Sequence, residues 1–232
     1  ISNIAWAPGS TLDAYSLMGR YGVQGLEIAP GLFFPTESDP FAPSAKARRD
    51  ALDPLHNQGL ELVSMQSLLY GVGNARLFGN LEEQNAFVRG IERAINLASS
   101  LDIPNIVMGS PKNRSIPSDR DMLEAWDEAR EIFRKLGDYA RSAGVRIAME
   151  PNPPCYGTNF LTDFADTLRF CRELSHPAIR MNFDTGALLV NDEFVHVERY
   201  FEVAKPFVSH VHISEPDLAP VTDVRGNITR LF

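Results

Sequence analysis

The chain has only two cysteines, Cys155 and Cys171. They form neither a C-x-x-C pair for metal or redox work nor a disulfide framework, so a reduced, cytoplasmic setting is expected. Basic clusters are missing as well: 22 Lys and Arg stand against 30 Asp and Glu, a net charge of −8. Phosphate neutralisation dominates binding to nucleic acids, so neither a nucleic acid nor an anionic membrane is an expected partner. There is no apolar run of membrane length and no basic leader followed by one, so neither a span nor a signal peptide is predicted. A glycine-rich phosphate loop is also lacking, because the first apolar run, ISNIAWA, continues as PGSTLDAY, and this counts against dinucleotide binding. The chain starts at Ile1, and earlier translated residues are expected to be missing.

What is present is alternation. Short apolar runs predict strands over Ile1–Ala7, Gly25–Pro30, Leu60–Leu69, Asn105–Ser110, Val145–Pro151, Ile179–Gly186 and Val208–Glu215. Amphipathic windows between them predict helices over Leu12–Tyr21 (capped by Thr11), Ser44–Gln58, Glu82–Leu101, Asp119–Ala143, Thr162–Leu174 and Glu193–Lys205. The helices repeat apolar residues at three and four, and several end at a glycine. The strands are nearly continuously apolar, as strands covered on both faces are. Such βα repetition fits a closed barrel or an open doubly wound sheet. The barrel is favoured, because polar residues collect at the C-terminal ends of many strands, which a barrel gathers into one site. The expectation is one domain over residues 1–232, a TIM-type (β/α) barrel with seven recognisable units. The eighth is absent or altered, and the chain is C-terminally incomplete. An open barrel would expose strand edges, so a homodimer contact or the C-terminal tail is expected to cover them.

The run VSHVHISEP poses the chemical question, since buried polar groups are costly without partners. His212 ends this strand as Glu150 ends VRIAM and Asp184 ends IRMNF. Two carboxylates and an imidazole from three successive strand ends form a donor set for a divalent metal. Each has a plainer reading: Asp184 before Thr-Gly as a helix cap or turn former, His212 as a satisfied core histidine. His210 lies two residues before His212, on the same strand face and one layer down. It either supports the site by a hydrogen bond or packs in the core.

The runs AMEPNP, NFDTGALL and HVHISEP, with YGVQGLEIAP and GLELVSMQSLLYG near the N-terminus, resemble the xylose isomerase-like TIM-barrel superfamily of sugar phosphate isomerases and epimerases. The resemblance runs to about Pro216. It implies that Glu150, Asp184 and His212 hold a divalent ion (Mn, Mg, Zn or Co), with Glu150 also the acid–base group. A further glutamate on strand eight would complete the ligands and the acid–base pair. Two departures stand out. Many members carry a histidine three residues after the strand-six aspartate, where this chain has Ala187. The fourth ligand would lie beyond Phe232, leaving Glu215 and Asp217 as local substitutes. The five histidines, mostly on helices, do not provide the multi-metal cluster that endonuclease action needs. The implied activity is isomerisation or epimerisation of a small sugar or polyhydroxy carbonyl compound by proton abstraction next to the carbonyl. A metal-dependent dehydratase or a non-catalytic paralogue are the alternatives.

Other residues carry two readings each. Glu27 binds substrate hydroxyls or pairs with a neighbouring strand end. Gln66 and Ser67 touch substrate or fill barrel layers. Trp6 walls the pocket or packs in the core. Lys112 and Arg114 meet an anionic substrate group or remain solvated loop charges. Cys155 follows Glu150 in a loop, and nothing nearby suggests an activated thiolate.

Overall fold

A computed structural model describes residues 1–221 of the chain. Six strands form one sheet: β1 Gly25–Ile28, β2 Glu61–Met65, β3 Asn105–Met108, β4 Arg146–Met149, β5 Ile179–Asp184 and β6 Val208–His212. They lie side by side in sequence order and all neighbours are parallel. Helix α1 (Thr11–Arg20) precedes β1. Between the strands come α2 (Pro30–Phe33), α3 (Ala45–His56), α4 (Leu81–Ser100), α5 (Met122–Ser142), α6 (Phe164–Leu174), α7 (Thr185–Val190) and α8 (Val197–Ala204). The sheet curls strongly. Ser209 on β6 donates to Asn105 on β3 at 2.8 Å, and Asn105 donates to Ser64 on β2 at 3.1 Å. The two edge strands also meet across the interior, where His212 of β6 lies 3.1 Å from Glu27 of β1. The result is a six-stranded parallel half-barrel.

This corrects the seven-unit expectation at the N-terminus. Ile1–Ala7 is not a strand: it makes one parallel bridge, Ser2 with Glu27, and then a 3-10 turn over Asn3–Ala5. The cause is the Asn3 side chain, whose Oδ1 accepts from the Ala29 N–H at 2.7 Å while Nδ2 donates to the Ala29 carbonyl at 3.4 Å. That side chain takes the place of a ladder pair, so the backbone is free to turn toward Pro8. Thr11 is likewise not a cap. It lies inside α1, where its hydroxyl donates to the Pro8 carbonyl. The 222–232 segment of the C-terminal tail, expected to cover a sheet edge, lies outside the described residues.

Helix starts follow local chemistry. Asn80 and Glu83 form a reciprocal capping box on α4, Asp121 caps α5, and Asp163 caps α6, each satisfying N–H groups that have no partner within the helix. These three helices enclose an aromatic core. Phe133 meets Phe87 and Phe170 edge-on at 6.2 and 5.7 Å, and Phe160 meets Phe78, Trp126 and Phe170 at 5.1–5.6 Å, the edge-to-face arrangement that ring quadrupoles favour. Two strand irregularities aim side chains at the interior. An extra residue enters β2 opposite Leu26 and Glu27, and another enters β6 opposite Met181 and Asn182. In β6 the bulge lets Ser209, His210 and His212 all reach interior partners. Among the described residues no helix is long and apolar enough to cross a membrane.

Candidate metal centre

At the C-terminal ends of β4, β5 and β6, Glu150, Asp184 and His212 converge, with one donor atom of each within 4.8 Å of the others. His212 Nδ1 is 2.8 Å from Glu150 Oε1 and 3.7 Å from Asp184 Oδ2. Its other ring nitrogen, Nε2, stands 3.1 Å from both oxygens of Glu27. A carboxylate only accepts, so Nε2 carries hydrogen toward Glu27 and Nδ1 faces the Glu150–Asp184 side. Burial acts to lower the His212 pKa, but hydrogen bonds to Asp184, Glu150 and Glu27 outweigh it and raise the group to about 12.

Each of the three groups is braced. Asp184 Oδ1 accepts from the Ala187 N–H at 2.9 Å and from the Ser214 hydroxyl at 3.0 Å, which leaves Oδ2 turned toward His212. Asp184 therefore fulfils both readings at once, capping α7 with one oxygen and joining the cluster with the other. Glu150 Oε1 accepts from Asn182 Nδ2 at 2.8 Å, and Oε2 accepts from Asn152 Nδ2 at 3.0 Å. Glu27 is buried at 3% exposure and also receives Gln66 Nε2 at 2.8 Å and His210 Nε2 at 3.1 Å. Burial alone would raise Glu27, but the hydrogen bonds and charges of His210 and His212 hold it well below the usual carboxylate range.

These residues fit a divalent cation. With its pKa raised, the metal-free His212 carries a proton on Nδ1 as well as on Nε2, and Glu150 Oε1 accepts it at 2.8 Å. A divalent cation held by Nδ1 and Glu150 Oε1 would take the place of that proton, and Asn182 Nδ2 donates to Oε1 at 2.8 Å in either state. The mixed oxygen and imidazole set is one that Mn, Zn or Co accepts. Glu27, His210 and His212 form a second close group, but there Glu27 is buried at 3% exposure, whereas Glu150, Asp184 and His212 are all half-buried at the rim. Glu27 instead completes a carboxylate–histidine arrangement of the kind that orients metal-bound imidazoles.

The other expected residues divide. His210 and Gln66 join the cluster through Glu27. Glu215 is half-buried three residues beyond β6 and belongs to neither donor group. Trp6 packs edge-on against Tyr15 at 6.2 Å and donates to Thr11 at 3.3 Å, on the α1 side and with no hydrogen bond to the cluster. Arg114 is not a solvated loop charge, being fully buried behind Glu150. Three braces escaped the sequence reading, Asn152, Asn182 and Ser214, and Arg114 reads there only as an anion contact or a solvated charge. Asn182 was within reach of the two-residue spacing that singled out His210, since it stands below Asp184 as His210 stands below His212.

The family model described as xylose isomerase-like TIM barrel matches residues 17–226. Solved structures sharing the fold include a 3-keto-D-glucoside 4-epimerase from E. coli, 17% identical, with a TM-score of 0.71 over 99% of this chain and 85% of that one. A D-allulose 3-epimerase from Methylomonas sp. is 19% identical, with a TM-score of 0.68 over 90% of this chain and 68% of the other. A probable 3-DHS dehydratase from Bacillus anthracis is 17% identical, with a TM-score of 0.67 over 96% and 76%. At such identities the likeness is one of fold. No curated protein matches the sequence.

Proposed function

The chain belongs to the xylose isomerase-like TIM-barrel family, and from that membership and its site we propose a divalent-metal-dependent isomerase or epimerase of a small sugar or polyhydroxy carbonyl compound. One observation carries the proposal: Glu150, Asp184 and His212 converge from three successive strand ends, each braced by neighbours that keep one donor atom turned toward the other two. Solved structures of the same fold are named as epimerases of keto-glucosides and ketoses, which supports a carbohydrate-like substrate.

A cation held by these three residues would polarise the substrate carbonyl and favour loss of the neighbouring proton. Glu150 is the proposed base. Its carboxylate is only slightly exposed at the mouth of the half-barrel, and Asn152 and Asn182 fix its plane. Holding the base in position before substrate arrives removes an orientational cost from proton transfer. Glu27 keeps the His212 ring from rotating. Glu215, at the rim after β6, is proposed to contact substrate. A dehydratase is the second reading, because the fold is shared with a probable 3-DHS dehydratase and water loss can begin with the same proton abstraction.

The test is metal analysis of the purified protein and of Glu150→Gln and Asp184→Asn variants, followed by incubation with a panel of ketoses in D2O. Stoichiometric Mn, Co or Zn in the wild type and deuterium uptake beside the carbonyl, both lost in Asp184→Asn, are expected. Uptake accompanied by an unsaturated product indicates the dehydratase. A wild type that holds no divalent ion after loading overturns the proposal.

A further inference from the structure

Arg114 is the unexplained charge of this fold. It follows a 3-10 turn over Pro111–Asn113 in the loop after β3 and is fully buried. Its Nη2 donates to the Glu150 carbonyl at 2.6 Å and to Asn152 Oδ1 at 2.8 Å. Nε and Nη1 are buried with no hydrogen-bond partner among the described residues. A buried guanidinium with unsatisfied donors is an expensive way to fill space, and an apolar side chain would fill it more stably. Its two bonds are therefore the clue.

Both bonds bear on Glu150, one through the side chain of Asn152 and one at its own backbone carbonyl. Because Arg114 occupies Asn152 Oδ1, the Asn152 amide has one orientation open to it, with Nδ2 pointing to Glu150 Oε2 at 3.0 Å and to the Pro151 carbonyl at 3.1 Å. The second bond grips the backbone of Glu150 itself. The loop carrying Arg114 is fixed in turn from the other side: Thr158 donates to the Arg114 carbonyl at 3.3 Å, and Asn159 exchanges bonds with the backbone of Ile116 at 2.7 and 3.0 Å. We propose that Arg114 and Asn152 are positioning residues, a two-step relay that sets the amide of Asn152 and through it the rotation of the Glu150 carboxylate. The relay rests on the metal-centre reading of Glu150 and adds to it a determinant outside the ligand set. It leaves Oε1 facing His212 and assigns Oε2 to Asn152.

Calorimetric titration with Mn2+ alone tests the relay, with thermal unfolding measured alongside. Asn152→Asp keeps an acceptor for Arg114 but replaces the donor to Glu150 by a second carboxylate. Its Mn2+ affinity is expected to fall about 10–100-fold, the usual effect of removing such a supporting bond, with the unfolding temperature preserved. A merely structural role would leave the affinity unmoved. Arg114→Met is expected to fall by a similar factor, and the double variant no further, because the two act in series. If Arg114→Met fails to fold, Asn152→Asp decides alone. Wild-type affinity in Asn152→Asp, with binding lost in Glu150→Gln, overturns the relay and spares the metal centre. Losses that multiply in the double variant also overturn it. A wild type that does not bind Mn2+ overturns both.

Discussion

Gly109 follows β3 beside the proposed base, and replacing it by alanine separates site geometry from fold stability. An added Cβ would stand 2.6 Å from Glu150 Oε2, against an ordinary contact of 3.4–4 Å. The shortfall of about 0.8 Å, 3.4 less 2.6, falls on an oxygen that cannot swing freely, since Asn152, Asn182 and His212 hold the carboxylate. The backbone at 109 is outside the left-handed region, so alanine adds no conformational strain and narrows the unfolded ensemble, worth about 0.4–1 kcal/mol. Crowding in a well-packed site costs about 1–3 kcal/mol, and rotation of the carboxylate away from the new methyl keeps the cost at the low end of that range. Urea unfolding of Gly109→Ala should therefore stay within about 1 kcal/mol of the wild type, while Mn2+ affinity drops about 10–100-fold as the carboxylate rotates. Calorimetric titration and equilibrium unfolding on the same preparation give both numbers. Unchanged affinity, or a loss of stability that accounts for the whole effect, would refute the placement of Oε2.

Further outcomes follow from the same geometry. Glu27→Gln removes the charge that orients His212 and should weaken Mn2+ binding about 10–100-fold by calorimetry, whereas an unaltered constant would show that the ring is held by packing alone. In chelator, two groups set opposite slopes with pH. Glu27, depressed in the fold, contributes stability above the ordinary glutamate value of about 4.3 that is lost on acidification. His212, raised to about 12, contributes stability that is complete below about 6.5 and declines as pH rises. The unfolding temperature of the metal-free protein should therefore fall steadily from pH 6.5 to 9, and a flat or rising profile would contradict the His212 environment. Cys155 is exposed, while burial pushes the Cys171 thiol up to about 12. Ellman titration at pH 8 should find one reactive thiol in the native protein and two in guanidinium, and two native thiols would place Cys171 wrongly.

The site was more legible in the sequence than its supports. Glu150, Asp184 and His212 each end an apolar run just before a turn or helix start, so period-two strands and parallel βα order were enough to bring them to one rim. His210 followed from the same spacing. The supports depend on contacts distant in sequence. Arg114 resembles a surface loop charge until Thr158 and Asn159, 44 and 43 residues away from their partners, close over it. Ile1–Ala7 reads as a strand because its residues are apolar. What diverts it is Asn3 bonding to Ala29, 26 residues on. Glu27 could be placed at a strand end from sequence, but its saturation by two histidines and a glutamine arises only when the sheet curls and β1 meets β6. Six strands and one bridge, rather than seven strands, follow from that Asn3 contact.

A cation held as proposed would sit on the Nδ1 side of His212. Anomalous diffraction from Mn2+-loaded crystals locates it directly. One strong peak bounded by Glu150 Oε1, Asp184 Oδ2 and His212 Nδ1 is expected. A peak on the Nε2 side, among Glu27, His210 and His212, would contradict that placement.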